Sequence, residues 1–491
     1  MSETKEFKKE KIVVVGNGMV GHHFIDQLLS NHSDDYQVIT FSEESRLAYD
    51  RVMLTSYFTG NTADDLALAT PQAYDEQGVE YYVDTQVVGI NREKKTLTTS
   101  TDQTISYDKL VLATGSYPFV PPVPGKDQEN IHVYRTLGDL DAIAESAKSS
   151  SVGVVIGGGL LGLEAANAIK QLGLQTHVVE FAPRLMAVQL DQDGGDLLRN
   201  KIEDLGVCVH TQKNTTEIIT GEKCRYRMNF ADGSFLETDT IVFSAGIRPQ
   251  DTLARASGLN IGERGGIVIN DQCLTSDESI YAIGECALWD NKIFGLIAPG
   301  YTMAKSAVSH LTSGGLNAKV KTFSGADMST KLKLLGVDVG SIGDAHANST
   351  GAQSYSFVDS TAGTYKKIVV SSDSKKLLGA VLVGDTSEYG QWLQLVLNEI
   401  ELSQPPEYLL LPEIDGDSVN ATTGVESLPD GAQICSCYDV TKQHLCNAVN
   451  AGAHDIPALK SCTNAGTGCG GCVPLVTQLL NSELAKTDSL C

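Results

Sequence analysis

Long apolar runs are missing from this sequence. Nothing in its 491 residues approaches the ~18 consecutive apolar residues that a membrane-spanning helix requires. The start, MSETKEFKKEK, has no apolar stretch either, so it does not read as a secretory signal. Positive charge is also scarce. There are 37 Lys and Arg against 61 Asp and Glu, a formal net charge of −24. That balance excludes nucleic acid and anionic membrane surfaces as expected partners. A basic protein partner suits such a surface, and so does simple solvation. Cysteine is absent from residues 1–207, and all 11 cysteines lie beyond. The 10 histidines show no metal-ligand spacing, and His22-His23 are expected on a helix as packing or surface residues. A cytoplasmic location is expected, with cysteines reduced unless they hold metal or do redox chemistry. Cys208, Cys224, Cys273, Cys286, Cys446 and Cys462 are scattered singly and read as small apolar residues in or near cores.

What is present is a nucleotide-binding pattern, twice. The length suits two to four domains, and 42% hydrophobic residues suffice for real cores. The stretch KIVVVGNGMVGHHFIDQLL predicts a buried strand, a glycine turn and a helix, with Gly16-x-Gly18-x-x-Gly21 as the fingerprint. Gly16 permits the tight turn, Gly18 lets a pyrophosphate approach the backbone, and Gly21 lets the helix pack on the strand. The helix N-terminus then faces the phosphates. A second strand, YQVITF, leads to Glu43, placed to accept ribose hydroxyls. The construction returns in SSVGVVIGGGLLGLEAANAIKQLGLQTHVVEF, with Gly157, Gly159, Gly162 and the acid Glu180. Two fingerprints imply two dinucleotides. Glu180 repels a 2′-phosphate and favours NADH, while nearby Arg184 keeps NADPH open.

Three more strand-to-glycine segments follow: YDKLVLATGSYP with Thr114-Gly115, TDTIVFSAGIRP, and TSDESIYAIGEC with Gly284-Glu285. In this order the motifs resemble the pyridine nucleotide-disulfide oxidoreductase superfamily, which uses FAD and NAD(P)H. The resemblance implies an NAD domain inserted into an FAD domain, with FAD at the first fingerprint. It implies that Glu285, where Asp is usual, contacts the ribityl chain. It implies that the helix in APGYTMAKSAV points its N-terminus at the flavin, where a positive helix end stabilises an anion. Glu164, in GLLGLEAA, would lie near the nicotinamide; a helix-surface Glu reads the same.

Disulfide reductases of this superfamily carry a paired cysteine motif beside the flavin. Residues 1–430 contain none. In the corresponding region RLAYDRVMLTSYF resembles the Y-D-R segment of the ferredoxin-reductase-like branch, which hands electrons on singly. Arg51 is a candidate flavin neighbour there, or a surface Arg, and Ser56 occupies a position that is often Lys. A peroxide or NADH oxidase would need a reactive cysteine beside the flavin, which residues 1–207 cannot supply.

Residues 325–400 predict strands, a hairpin turn near Ser372-Asp373-Ser374, and a helix. The expected fold class is α/β. It has two Rossmann-like dinucleotide-binding domains, a small α+β domain and a small helical [2Fe–2S] domain at the C-terminus. The expected bounds are 1–122 with 251–324 for FAD, 123–250 for NAD, 325–404 for the α+β domain, 405–430 for a linker and 431–491 for the cluster domain.

Cys435, Cys437, Cys469 and Cys472 form a C-x-C and a C-x-x-C pair. Four thiolates in two pairs can hold a [2Fe–2S] cluster, one pair on each iron. Zinc is the rival, since sulfur tetrahedra host either, although zinc ribbons separate each pair by at least two residues. Two disulfides suit a reducing compartment less well. The tail resembles the helical [2Fe–2S] domain of bacterioferritin-associated ferredoxin, and the four cysteines match its ligands. Cys446 and Cys462 fall outside that pattern.

From residue 11 to about 485 the whole arrangement resembles the family of large subunits of bacterial NAD(P)H-dependent assimilatory nitrite reductase. This implies electron flow from NADH through FAD and the [2Fe–2S] cluster to a sirohaem and [4Fe–4S] module. That module is not in this chain, because four more cluster cysteines cannot be supplied after Cys472. The chain is thus expected to be the front part of a longer protein or a reductase serving a separate acceptor. The alternatives are the electron-transfer subunit of an assimilatory nitrate reductase, and a redox- or iron-sensing binding module. A homo-oligomer is left open.

Overall fold

The computed structural model describes residues 9–313, 320–411, 425, 428–435, 438–467 and 471–488. The chain divides into two compact units, Met1–Tyr117 with Ile247–Ala326, and Pro118–Gly246 with Asp327–Cys491. The expected α/β class is observed in both.

In the first unit a five-stranded sheet runs in the order Ile280–Ala282, Lys109–Leu112, Glu10–Val15, Tyr36–Phe41, Glu80–Tyr82. Every pairing is parallel. Parallel strands are covered on both faces, which is why these segments are continuous apolar runs. Ile12, Val13, Val14, Leu110, Val111 and Leu112 are fully buried. The helices Met19–His32 and Ile297–Leu311 pack on each other.

The second unit repeats the plan. Its parallel sheet runs Cys208–His210, Gln175–Val179, Val152–Ile156, Thr240–Phe243, Ile131–Val133. Each unit adds a three-stranded antiparallel sheet before its ATG-like or SAG-like strand. The outer strand differs. In the second unit it precedes the glycine turn, whereas in the first it is Ile280–Ala282, which lies beyond the entire second nucleotide fold. One nucleotide fold is therefore inserted in the other along the chain.

The second unit continues with a five-stranded antiparallel sheet and the helix Tyr389–Leu397, which buries Trp392 against Ile342, Ile368 and Leu382. The expected hairpin turn is present: Ser374 has φ +57°, and Asp373 accepts from Ser371 Oγ at 2.6 Å. Most of the expected linker, residues 405–430, lies outside the described residues; its start forms a short 3-10 helix, Pro406–Leu409. The tail comprises a strand pair, Gln433–Cys435 with Val440–Thr441, and helices Lys442–Asn450, Ile456–Thr463 and Val473–Asp488. It packs on Tyr389–Leu397, and Gln433 N donates to Asn398 Oδ1 at 3.3 Å. Among the described residues no helix is long and apolar enough to cross a membrane.

Candidate dinucleotide and cluster sites

At the first glycine turn each glycine has its own constraint. Gly16 has φ +107°, and a Cβ there would overlap Ala113 O. A Cβ on Gly21 would overlap Gly16 O. Around Gly18 a Cβ would meet nothing within 4 Å. Gly18 is also the N-cap of Met19–His32 and supplies no side-chain cap. The first turn of that helix therefore has no side-chain cap on its amides, which suits a pyrophosphate. Asn17 braces the turn: its Nδ2 donates to Tyr74 Oη at 2.9 Å and to Thr40 Oγ1 at 3.3 Å, and its Oδ1 accepts from Ala48 N at 2.9 Å.

Thr114 and Gly115 follow the strand Lys109–Leu112. Thr114 Oγ1 donates to Gln250 O at 2.6 Å, and Gly115 O accepts from Gln250 N at 2.9 Å. Glu285 lies in the turn Gly284–Cys286, where Ser116 Oγ donates to its Oε2 at 2.7 Å. Gly284 has φ +79°. The expected helix starts at Ile297 without a side-chain cap and packs on this turn. A Cβ on Gly300 would come within 2.6 Å of Val20 Cγ2, so the first turn of this helix sits close to the start of Met19–His32.

Arg51 N approaches Met19 Sδ at 3.4 Å, which brings its backbone to the start of that helix. Its guanidinium pairs with Glu44 and lies over the Tyr49 ring at 5.0 Å. Glu43 is exposed and accepts from Gln86 Nε2 at 3.2 Å. Ser56 Oγ donates to Met53 O at 2.6 Å, so it closes a turn. His22 and His23 are on the first helix as expected. His23 stacks on Tyr301 with centroids 4.0 Å apart, and burial drives its pKa down to about 3, with Lys305 adding to the shift.

The second turn repeats the steric plan. A Cβ on Gly157 would overlap Ser244 O, one on Gly162 would overlap Gly157 O, and one on Gly159 would meet nothing within 4 Å. Its bracing differs. The Asn17 position is Gly158, and Glu180 performs the tie: Oε2 accepts from Gly158 N and Oε1 from Ala182 N at 2.6 Å. Arg184 is turned away to its own loop, with Nε donating to Leu190 O at 2.9 Å and Nη2 to Ala187 O at 3.4 Å. Phe181, beside Glu180, is 74% exposed. Glu164 is half-buried on Leu160–Gln171, and burial raises its carboxyl pKa to about 7.

In the tail, Cys435 is buried at the end of its strand, and Cys472 precedes the helix Val473–Asp488. Cys437 and Cys469 lie outside the described residues. Asn464 ends the preceding helix with φ +58°, and Gly466, at φ +80°, abuts Val473. Gly466 therefore sits against the start of the last helix.

Residues 10–310 match the family model for pyridine nucleotide-disulphide oxidoreductases. The chain belongs to that family. It is accordingly an oxidoreductase that uses FAD and NAD(P)H. Residues 329–400 match the rubredoxin NAD+ reductase C-terminal domain, and residues 433–482 match the BFD-like [2Fe-2S] binding domain, so the oxidoreductase carries a [2Fe–2S] cluster in its tail.

Among relatives, the nitrite reductase (NADH) large subunit of Escherichia coli is 57% identical over 480 residues, covering 97% of this chain and 56% of the relative. The assimilatory nitrate reductase electron transfer subunit of Bacillus subtilis is 35% identical over 493 residues, covering 99% and 62%. The resemblance to nitrite reductase large subunits expected from the motifs is thus found, and the chain spans little more than half the length of the first of these relatives. The fold is shared with a crystallised covalent putidaredoxin reductase–putidaredoxin complex, at TM-score 0.73 and 22% identity over 85% of this chain and 99% of that one.

For this oxidoreductase, motif reading missed three side chains: Asn17, Tyr74 and Phe181. Asn17 is the x between two fingerprint glycines, a position with no residue rule. Tyr74 is far away in sequence. Phe181 was visible only as the neighbour of Glu180. The core placement expected of the single cysteines holds for Cys273 and Cys286, which are buried. It fails for Cys208 and Cys462, which are exposed on a strand at the sheet edge and on the tail helix Ile456–Thr463.

Proposed function

We propose that this chain is an NADH-oxidising flavoprotein whose [2Fe–2S] tail delivers electrons to a sirohaem nitrite reductase module. The observation that supports it is the pair of glycine turns, open at Gly18 and at Gly159, in a chain that also carries the cluster domain. When bound, FAD accepts hydride and the cluster passes electrons one at a time.

In this reading Gly16, Gly18 and Gly21 seat the FAD pyrophosphate, with Glu43 toward the ribose, Thr114, Gly115, Gly284 and Glu285 along the polyol side, and Arg51 nearby. The helix Ile297–Leu311 brings an uncapped positive end to the same unit. Gly157, Gly159, Gly162 and Glu180 seat NADH. NADH is favoured because Glu180 presents a carboxylate and Arg184 is committed to Leu190 and Ala187. Glu164 lines the nicotinamide end as a carboxyl able to hold a proton near neutrality. Cys435, Cys437, Cys469 and Cys472 hold the cluster. The domain bounds expected from the sequence belong to this reading, as does a location in the cytoplasm.

A second acceptor, an assimilatory nitrate reductase, is favoured by the Bacillus subtilis relative that carries electron transfer in its name. The test is anaerobic purification with visible and low-temperature EPR spectra before and after NADH, followed by addition of a sirohaem nitrite reductase module. Flavin bleaching, a reduced [2Fe–2S] signal and nitrite consumption are expected. Bleaching without an EPR signal, with zinc in the tail, removes the cluster from the path. Reduction of the protein by NADH that is only stoichiometric, with no turnover on artificial acceptors, assigns the chain to sensing.

A further inference from the structure

The two glycine turns have the same steric plan and different anchors. At the second, the x residue is Gly158, where a Cβ would press on Leu185 and Glu180, so the turn can be held only through its backbone. Its anchor is the Glu180 carboxylate, the group expected to greet the incoming ribose. At the first, the x residue is Asn17, 5% exposed, and its side chain ties the turn to three other segments. These are the strand Tyr36–Phe41 through Thr40, the following loop through Ala48 N, and the helix Pro71–Gln77 through Tyr74. Tyr74 is fully buried. Its Oη accepts from Asn17 Nδ2 at 2.9 Å and lies 3.0 Å from His22 Nδ1. With Nδ1 of His22 unprotonated, the phenol accepts from Asn17 and donates to His22; in the other tautomer it accepts from both. Burial lowers the His22 pKa, in keeping with a neutral ring. His22 belongs to the same helix that Gly18 N-caps. One phenol therefore clamps the glycine turn and the first turn of its helix together.

We infer that Tyr74 is a positioning residue for the flavin nucleotide, acting through Asn17 and His22 to hold the first glycine turn rigid. The consequence is a division of labour. The first turn is held by side chains that no ligand displaces, which suits a resident FAD. The second is held by the carboxylate that meets the ligand, which suits a nucleotide that exchanges every turnover. Pre-organisation of this kind lowers the ordering cost of binding and slows release. The inference rests on seating FAD at the first turn.

The test uses the FAD-loaded full chain with Tyr74→Phe and Asn17→Asp. Tyr74→Phe keeps the ring and removes the hydroxyl. Asn17→Asp keeps the shape and the Ala48 contact but cannot donate. FAD release is followed as the rise of flavin fluorescence on dilution. NAD+ affinity and the melting temperature of the flavin-free protein are measured alongside. Release is expected to quicken about tenfold in Tyr74→Phe, the scale of one lost buried hydrogen bond, and further in Asn17→Asp. NAD+ affinity should hold, while the melting temperature of the flavin-free protein falls as it does for any lost buried hydrogen bond. Release within twofold of the parent in both variants overturns the inference, as does a loss of NAD+ affinity as large as the loss of FAD affinity. If the parent itself retains no FAD, the seating of flavin at the first turn fails instead.

Discussion

Ser116 Oγ donates to Glu285 Oε2 at 2.7 Å, and the two residues are separated in the chain by the entire second nucleotide fold. The bond closes the first unit at the ends of two parallel strands, Lys109–Leu112 and Ile280–Ala282. It also fixes the carboxylate proposed to meet the FAD polyol. Ser116→Ala removes this bond to the carboxylate and is expected to weaken FAD binding severalfold. Glu285→Ala, which removes the group itself, should do more. Flavin content after gel filtration reads both; equal retention in all three proteins would remove Glu285 from the flavin site.

The glycines of one turn should fail in different ways. Gly16→Ala puts a Cβ at φ +107° and into Ala113 O, so it should cost at least ~1–3 kcal/mol of folding stability. Gly18→Ala meets nothing within 4 Å. It should leave the melting temperature of flavin-free protein unchanged and reduce FAD affinity. Gly159→Ala should act likewise on NADH, seen as a raised KM. Thermal melts with and without FAD separate the two classes.

Glu164 carries a pH signature. Its carboxyl is raised to about 7 from 4.5 by burial. Between these values the unfolded chain releases the proton while the folded chain keeps it, so stability falls as pH rises. The loss proceeds at up to ~1.4 kcal/mol per pH unit and stops above the folded pKa. Glu164→Gln should flatten that part of the profile, measured as denaturant midpoints at pH 5 and pH 8. An unchanged slope would place the carboxyl in water.

Nucleotide choice should resist a single substitution. Glu180→Ala removes the acceptor of the Gly158 and Ala182 amides and the charge proposed to repel a 2′-phosphate. NADH KM should rise and NADH preference over NADPH should shrink, yet efficient NADPH use should not appear. Arg184 remains bound to Leu190 O and Ala187 O. Steady-state kinetics with both nucleotides decide this, and a full switch to NADPH would show that Arg184 leaves its loop.

The tail cysteines divide by position. Cys472→Ser should abolish the [2Fe–2S] EPR signal and transfer to a protein acceptor while leaving NADH-ferricyanide activity largely intact. Cys462→Ser, at an exposed position on the helix Ile456–Thr463, should retain iron and both activities. Iron per protein is the direct measure.

Much of this was legible because it is local. Gly16, Gly18 and Gly21 are read from spacing, since turn, approach and packing act within one turn of helix. Glu43 shows the limit. Gly16 N binds Phe41 O as Gly157 N binds Val179 O, so the residue in register with Glu180 is Ser42, and Glu43 is one step further along. Both residues lie beyond the last strand residue, Phe41, where no strand alternation sets the direction of a side chain. No spacing rule contains that offset.

Local residue patterns dictate the two strand-turn-helix units, their order, the absence of a cysteine pair beside the first of them, and the four-cysteine tail. Each is a statement about residues close in the chain, where backbone sterics and spacing dictate the outcome. Tertiary structure alone decided that Ile280–Ala282 completes the first sheet, that Tyr74 reaches Asn17 and His22, that Glu180 binds its own glycine turn, and that Arg184 is occupied. Those depend on contacts between distant segments, set by which strands pair and which helices pack, and a buried polar side chain takes whichever partner that packing brings within hydrogen-bond reach.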